Sequence, residues 1–228
     1  MWKDNTLCFT ANTAGSTIYL TKIWNPTGVT LETSTDGENW STYTFGSIIT
    51  LSNIWDKIYW RNTSETTTVF SLGGGSYYKF VMSGSIAASW DITSLINKNW
   101  TTILSNWCFS SLFNWCTSLT TAPKLPATTL DTYCYYSMFL NCTNLTTLPK
   151  LPATTLTDYC YYQMFYGCSK IKLSTTQTWE YQTPYRIPTT WEWTAISGAL
   201  NNMFTSTWWD FTWTPNINTT YYTSNTVI

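Results

Sequence analysis

The chain has 228 residues, of which 10% are charged and none is histidine, and its formal net charge is −1. That balance excludes a basic face of the kind that binds nucleic acid by displacing counterions from phosphates. The missing histidine excludes Ser-His-Asp and Cys-His nucleophile pairs and every His-ligated metal motif.

Residues 1–92 read as antiparallel strands. Apolar and polar residues alternate over 17–23, 29–33, 48–51, 57–60 and 78–82, and Asp36-Gly37 supplies a hairpin turn. Gly73-Gly74-Gly75 makes another loop. Short strands at this spacing predict a small antiparallel β-sandwich-like domain.

From residue 93 a period takes over. Leu119-Thr-Thr-Ala-Pro-Lys-Leu-Pro-Ala-Thr-Thr-Leu130 returns almost unchanged as Leu145-Thr-Thr-Leu-Pro-Lys-Leu-Pro-Ala-Thr-Thr-Leu156. Cys108, Cys134 and Cys160 keep the same interval, and so do Cys116, Cys142 and Cys168. A period in the twenties with leucine at fixed offsets is the mark of a leucine-rich-repeat solenoid. Within a unit, Leu130, Tyr133, Cys134, Ser137 and Met138 fall on one stripe of a helix, and Leu156, Tyr159, Cys160, Gln163 and Met164 repeat it. The spacing therefore predicts a helix plus a brief strand per unit over 93–178. Residues 179–228, which carry a late echo at Asn202-Met-Phe204, are expected to form a degenerate repeat or cap. The fold class expected is mixed β and α/β: an antiparallel β-sandwich-like domain followed by a short leucine-rich-repeat solenoid.

The stretches Cys142-Thr-Asn-Leu145, Leu151-Pro-Ala-Thr-Thr-Leu156 and Tyr161-Tyr-Gln-Met-Phe-Tyr-Gly-Cys168 resemble the BspA-like leucine-rich-repeat proteins of gut and oral bacteria and their phages and prophages. Ser34-Thr-Asp-Gly-Glu-Asn-Trp40 and Asp56-Lys-Ile-Tyr-Trp60 look like the β-domain that often precedes those repeats. The resemblance implies surface display and adhesion, and it brings no catalytic residue. It also marks a departure, because the look-alikes usually carry glycine where this chain has Trp24, Trp55, Trp90, Trp115, Trp191, Trp193, Trp208, Trp209 and Trp213. The expectation is that several of these are UGA codons that the source organism reads as glycine, whereas Trp40 and Trp60 fit their strands.

No apolar run is long enough to cross a bilayer, and the start lacks the apolar core of a signal peptide. A polar, weakly charged surface suits an extracellular, cell-surface or virion protein, supplied in mature form or released by a route such as phage lysis.

The cysteines lack the close pairing that zinc requires. As ladder residues of stacked units, Cys108, Cys134, Cys160, Cys116, Cys142 and Cys168 are expected to be buried and reduced. Asp36, Glu38 and Asp56 read as turn residues in preference to a calcium site. Glu180, Glu192 and Asp210 have no fixed spacing that would make a glycosidase pair. No catalytic, cofactor or metal residue is assigned.

Aromatic content is 18%. Tyr136 and Tyr162 lie off the helical stripe and recur in register, so they can form a column for sugar faces or pack unit against unit. With Trp191, Trp193, Trp208 and Trp209 they are the candidate ligand contacts. The function expected is a non-enzymatic binding or adhesion module for a glycan or a host-surface protein. A structural spacer without a ligand is the alternative, and a polysaccharide hydrolase a remote one.

Overall fold

The computed structural model describes residues 5–26, 28–65, 70–71, 73, 75–99, 101–189, 197–209 and 214–228. Eight strands form the front: β1 (Cys8–Ala11), β2 (Ser16–Ile23), β3 (Leu31–Ser34), β4 (Ser41–Thr42), β5 (Ile49–Leu51), β6 (Lys57–Asn62), β7 (Tyr77–Ser83) and β8 (Ile86–Ser89). Period-two patterning drives them: in β2, Ile18 and Leu20 point inward while Thr17 and Tyr19 are partly exposed. β5, β2 and β7 make one antiparallel sheet, with β2 and β7 in register from Thr17 opposite Ser83 to Ile23 opposite Tyr77. β4, β3, β6, β1 and β8 belong to a second sheet.

The two sheets face each other across aromatic rings. Phe9 on β1 and Trp60 on β6 meet Phe80 on β7 at centroid distances of 4.9 and 5.2 Å. Tyr43 lies edge-on to Trp60 at 4.6 Å, and its hydroxyl accepts from the Leu20 amide and donates to the Ser47 carbonyl. This antiparallel, β-rich front is compatible with the sandwich-like expectation. The turn after β3 is closed by Asp36. Its carboxylate accepts from the Asn39 amide, the Asn39 side chain, the Glu38 amide and the Ser34 hydroxyl, which hold it well below the usual carboxylate range.

The front runs into the repeats without a break in the core. After one 3-10 turn, Ile92–Leu95, capped by the Asp91 carboxylate, the first repeat strand β9 (Leu119–Thr121) pairs parallel with β8. Phe80 stacks on Phe113 at 5.3 Å, and one cluster of buried residues extends from Leu7 to Tyr221.

The mixed α/β solenoid predicted from the repeat is corrected here. The structure is nearly all β, with 32% strand and 2% helical residues, and no α-helix occurs among the described residues. The stretches read as helices, around Leu130 to Met138 and Leu156 to Met164, are successions of turns. Their backbone takes a left-handed residue at every fourth position: Trp107, Ser111 and Trp115, then Tyr133, Ser137 and Asn141, then Tyr159, Gln163 and Gly167, with φ between 50° and 73°. A right-handed helix cannot pass through such residues.

Hydrogen bonding explains why this backbone is stable. In each unit every second amide donates across to the next unit, as in Tyr133 to Asp158, Tyr135 to Cys160, Ser137 to Tyr162, Phe139 to Met164 and Asn141 to Tyr166, at 2.7–3.0 Å. The intervening amides donate three residues back, as in Cys134 to Asp131 and Met138 to Tyr135. The same alternation joins residues 107–115 to 132–140 and residues 159–167 to 197–205. Backbone donors are thereby satisfied without a helix.

A four-residue turn period buries Cys134 and Tyr135, then Met138 and Phe139, then Cys142. Over nine residues that pattern is hard to tell from a helical stripe, because 4 lies close to 3.6. Its consequence is that Tyr133, assigned by the helical count to the core stripe, is half-buried, while Tyr135 is fully buried.

The inner side chains form columns. Phe113, Phe139, Phe165 and Phe204 continue from Phe80 in face-to-face stacks at 5.4, 5.5 and 5.4 Å. Phe109, Tyr135 and Tyr161 make a second column at 6.0 and 5.7 Å. The repeat strands β9, β10 (Thr147–Leu148) and β11 (Lys172–Ser174) lie on the other side of each unit. Past them, β12 (Thr183–Arg186), β13 (Trp208–Trp209) and β14 (Thr220–Thr223) join β11 in a four-stranded sheet ordered β12-β14-β11-β13, and β15 (Thr226–Val227) pairs parallel with β10.

Candidate functional site

The stacking of units in register multiplies any side chain that points outward. At the first left-handed position of each unit stand Trp107, Tyr133 and Tyr159, whose rings stack at 4.0 and 4.8 Å and lie within 6° of parallel. Beside them Tyr136 and Tyr162 stack at 4.9 Å. The two rows interlock, with Trp107, Tyr133 and Tyr159 each 5.7–5.8 Å from a ring of the second row at 52–60°. All five rings are half-buried. They form one aromatic patch across three units, and burial, with Tyr162 close by, pushes the Tyr136 phenol up, so it stays neutral at physiological pH.

Glycine backs the first row at both ends. A Cβ at Gly73 would run into the Trp107 indole, and one at Gly198 into the Tyr159 ring. Both glycines adopt left-handed backbone, φ 76° and 60°, so each satisfies a conformational and a steric demand at once.

At the edge of the second row the periodicity is interrupted. The position one unit before Tyr136 is Ser110, which carries no ring. A cleft of about 140 Å³ opens there, lined by Gly75, Ser76, Tyr77, Trp107, Ser110 and Tyr136 among others.

The structure brings Tyr136 and Tyr162 together. Trp191 and Trp193 lie outside the described residues. Trp208 and Trp209 form β13, which pairs parallel with β11 and not with the turn segments that carry the rings. Sequence reasoning missed Trp107, Tyr133 and Tyr159 as surface residues. Their recurrence at the repeat interval was visible, but the helical count placed Tyr133 and Tyr159 in the core.

The six ladder cysteines are buried and free. The thiols of Cys116, Cys142 and Cys168 donate to the carbonyls of Phe80, Phe113 and Phe139 at 3.0–3.1 Å. Burial raises Cys108 and Cys116 to about 12 and Cys160 to about 11, and pushes Cys134, Cys142 and Cys168 upward as well. Thiols so protonated are poor nucleophiles and poor metal ligands.

The carboxylates are dispersed. Asp36 belongs to its own turn, Asp56 accepts from the Asn53 amide, and Glu180 pairs with Lys172 at 3.7 Å, while Glu192 and Asp210 lie outside the described residues. Among the described residues no group of three or more His, Cys, Asp or Glu side chains is placed to hold a metal ion, and no helix is long and apolar enough to cross a membrane. No family model matches the chain, and neither a curated protein nor a solved structure matches it.

Proposed function

We propose that this protein is a non-enzymatic binding module, displayed on a cell surface or virion, whose aromatic patch engages glycans. The observation that carries the reading is the patch itself: five half-buried rings, each tyrosine with a polar tip, repeated in register along three units. Aromatic rings give apolar area for sugar C–H surfaces, and their hydroxyls partner sugar hydroxyls. The low charge of the chain suits a neutral ligand. The motif resemblance to the BspA-like repeat proteins accords with this role.

A structural spacer without a ligand is the second reading. It is favoured by the face-to-face stacking, which lets the rings satisfy one another. An array of immobilised glycans and host-surface proteins separates the two. Binding to a defined set of glycans, weakened at least tenfold by Tyr162→Ala in a protein of unchanged fold, supports the first. No binding, combined with self-assembly in light scattering, supports the second.

A further inference from the structure

The second aromatic row is one ring short. Tyr162 covers one face of Tyr136 at 4.9 Å, and the ring expected on the opposite face, one unit earlier, is replaced by Ser110. The inter-unit hydrogen bonds put that position in place, since Phe109 donates to Cys134 and Ser111 to Tyr136. The vacated space is the cleft of about 140 Å³ bounded by Tyr136 and by the flank of Trp107. Ser76, Ser110 and Ser111 contribute to its walls, so an apolar face lies against hydroxyl-bearing sides. That combination, one aromatic surface with a few polar groups at the rim, is what a sugar ring requires.

We propose that this slot is the primary subsite of the protein and takes a single pyranose ring, stacked on Tyr136 as the missing member of the row. The proposal rests on the glycan-binding reading of the patch. With Gly73, Gly75 and Tyr77 of the front domain among its lining residues, the slot takes the terminal unit of a glycan in preference to an internal segment.

The test is Ser110→Tyr, which continues the row and fills the slot with the protein's own ring. Wild type and variant are compared on an array of oligosaccharides with different non-reducing terminal pyranoses, with thermal unfolding as the control for folding. Tyr136→Leu, which keeps bulk but removes the aromatic face, is the second variant. Loss of at least tenfold in binding for both, with melting unchanged or raised for Ser110→Tyr, is the expected result. Undiminished glycan binding by Ser110→Tyr overturns the slot and leaves the glycan-binding reading intact. Absence of binding by the wild type overturns that reading. Loss of self-association by Ser110→Tyr, without any change on the array, assigns the slot to a second copy of the chain and also overturns the proposal.

A separate observation concerns the tryptophans. Trp24, Trp55, Trp90 and Trp115 sit at φ 52°, 74°, 64° and 61°, in the left-handed region that glycine adopts without strain. Trp24, Trp55 and Trp115 are 82%, 72% and 63% exposed, so packing does not compensate there, and Trp90, 38% exposed, meets the Lys124 ammonium 5.3 Å from its ring centre. The position of Trp115 carries Asn141 and Gly167 in the next two units. Trp60, by contrast, is fully buried on a strand, and Trp40 lies under the Arg61 guanidinium at 3.9 Å. Trp107 is also left-handed, but its indole stacks at 4.0 Å on Tyr133 in a register that otherwise carries tyrosine.

From this contrast we infer that positions 24, 55, 90 and 115 are glycine in the native protein, encoded by UGA read as glycine, whereas Trp40, Trp60 and Trp107 are tryptophan. The inference removes four exposed indoles from the surface and leaves the aromatic patch as its principal aromatic feature among the described residues. Peptide mass spectrometry of the protein from its native source is the test, with the gene's codons read alongside. Glycine at the four positions, each from a UGA codon, with tryptophan from UGG at 40, 60 and 107, is the expected pattern. Tryptophan at the four positions, or UGG codons there, overturns it.

Discussion

The thiol of Cys142 donates to the carbonyl of Phe113 in the preceding unit at 3.0 Å, and Cys168 repeats the bond to Phe139 at the same distance. A ladder of cysteines thus ties one unit to the next through S–H donors, and the donor must be protonated for the bond to form. Alkylation of the native protein at pH 8 should leave all six ladder thiols unmodified, and full labelling should appear only in denaturant. Labelling of Cys134 or Cys142 in the folded protein at the rate of a free thiol would contradict the burial described here.

The same thiols, joined above about pH 10 by the buried phenols of Tyr135, Tyr161 and Tyr185, shape the response to alkali. Their folded values lie above the ordinary 9, at about 12 for Cys108 and Cys116 and about 11 for Cys160. Between those limits the folded chain binds more protons than the unfolded chain, so stability falls as pH rises. The stability linked to these protons is therefore fully present below about pH 9 and is lost above it. Each thiol should contribute a loss of about 1.4 kcal/mol per pH unit until its folded value is passed. Chemical denaturation at pH 8, 9.5 and 10.5 reads the slope, and replacing Cys108 with Ala should reduce it.

Tyr135 is fully buried between Phe109 and Tyr161, and its hydroxyl has no hydrogen-bond partner among the described residues. Phe109 occupies the same place one unit earlier without a hydroxyl. Tyr135→Phe should be neutral or stabilising by up to about 1 kcal/mol. A loss larger than that, measured by denaturant unfolding, would mean that the hydroxyl is satisfied.

Gly198 and Gly15 separate strain from crowding. Both are left-handed, φ 60° and 75°, but a Cβ at 198 meets the Tyr159 ring while one at 15 meets nothing within 4 Å. Gly15→Ala should cost about 1 kcal/mol from backbone strain alone. Gly198→Ala should cost about 1–3 kcal/mol more, because the ring must move, and it should alter the near-ultraviolet aromatic signal. Equal costs would show that Tyr159 yields freely.

Leu145 is fully buried just before β10. Leu145→Ala should destabilise by about 2–5 kcal/mol, and an unchanged midpoint in denaturant would remove it from the core.

Much of the front was legible in its alternation: residues 17–23 and 57–60 form β2 and β6, and Asp36-Gly37 turns between β3 and β4. β1 and β8 went unread because Cys8–Ala11 and Ile86–Ser89 are short and nearly uniform in polarity. The repeat was legible as a period and illegible as a conformation. Over nine residues, turns of four and helices of 3.6 bury nearly the same positions, and only the partner of each amide distinguishes them. That partner lies almost a full unit further along the chain, as Tyr133 to Asp158 shows, beyond the reach of local propensity. The same error hid the outer aromatic row, since Tyr133 and Tyr159 point inward on a helix and outward on these turns. The glycine that the look-alikes carry at 115 has its physical counterpart in the left-handed backbone there, φ 61°, which a turn imposes.

The alternating amides impose an arithmetic on how such a chain can change. Inserting one residue between Tyr133 and Asn141 would exchange every amide that reaches the next unit with one that closes its own turn, and would turn each inward ring outward. Two would restore that parity but break the four-residue rhythm of left-handed positions. Whole units can be copied or deleted without either fault, and the longer interval that holds β11 and β12 shows where added length has been accommodated between two units. The interval from Phe165 to Phe204 is half as long again as that from Phe139 to Phe165, yet Phe204 still stacks on Phe165. A protein of this design diversifies by duplication and by its connectors, while single-residue insertions in the turns are excluded by geometry.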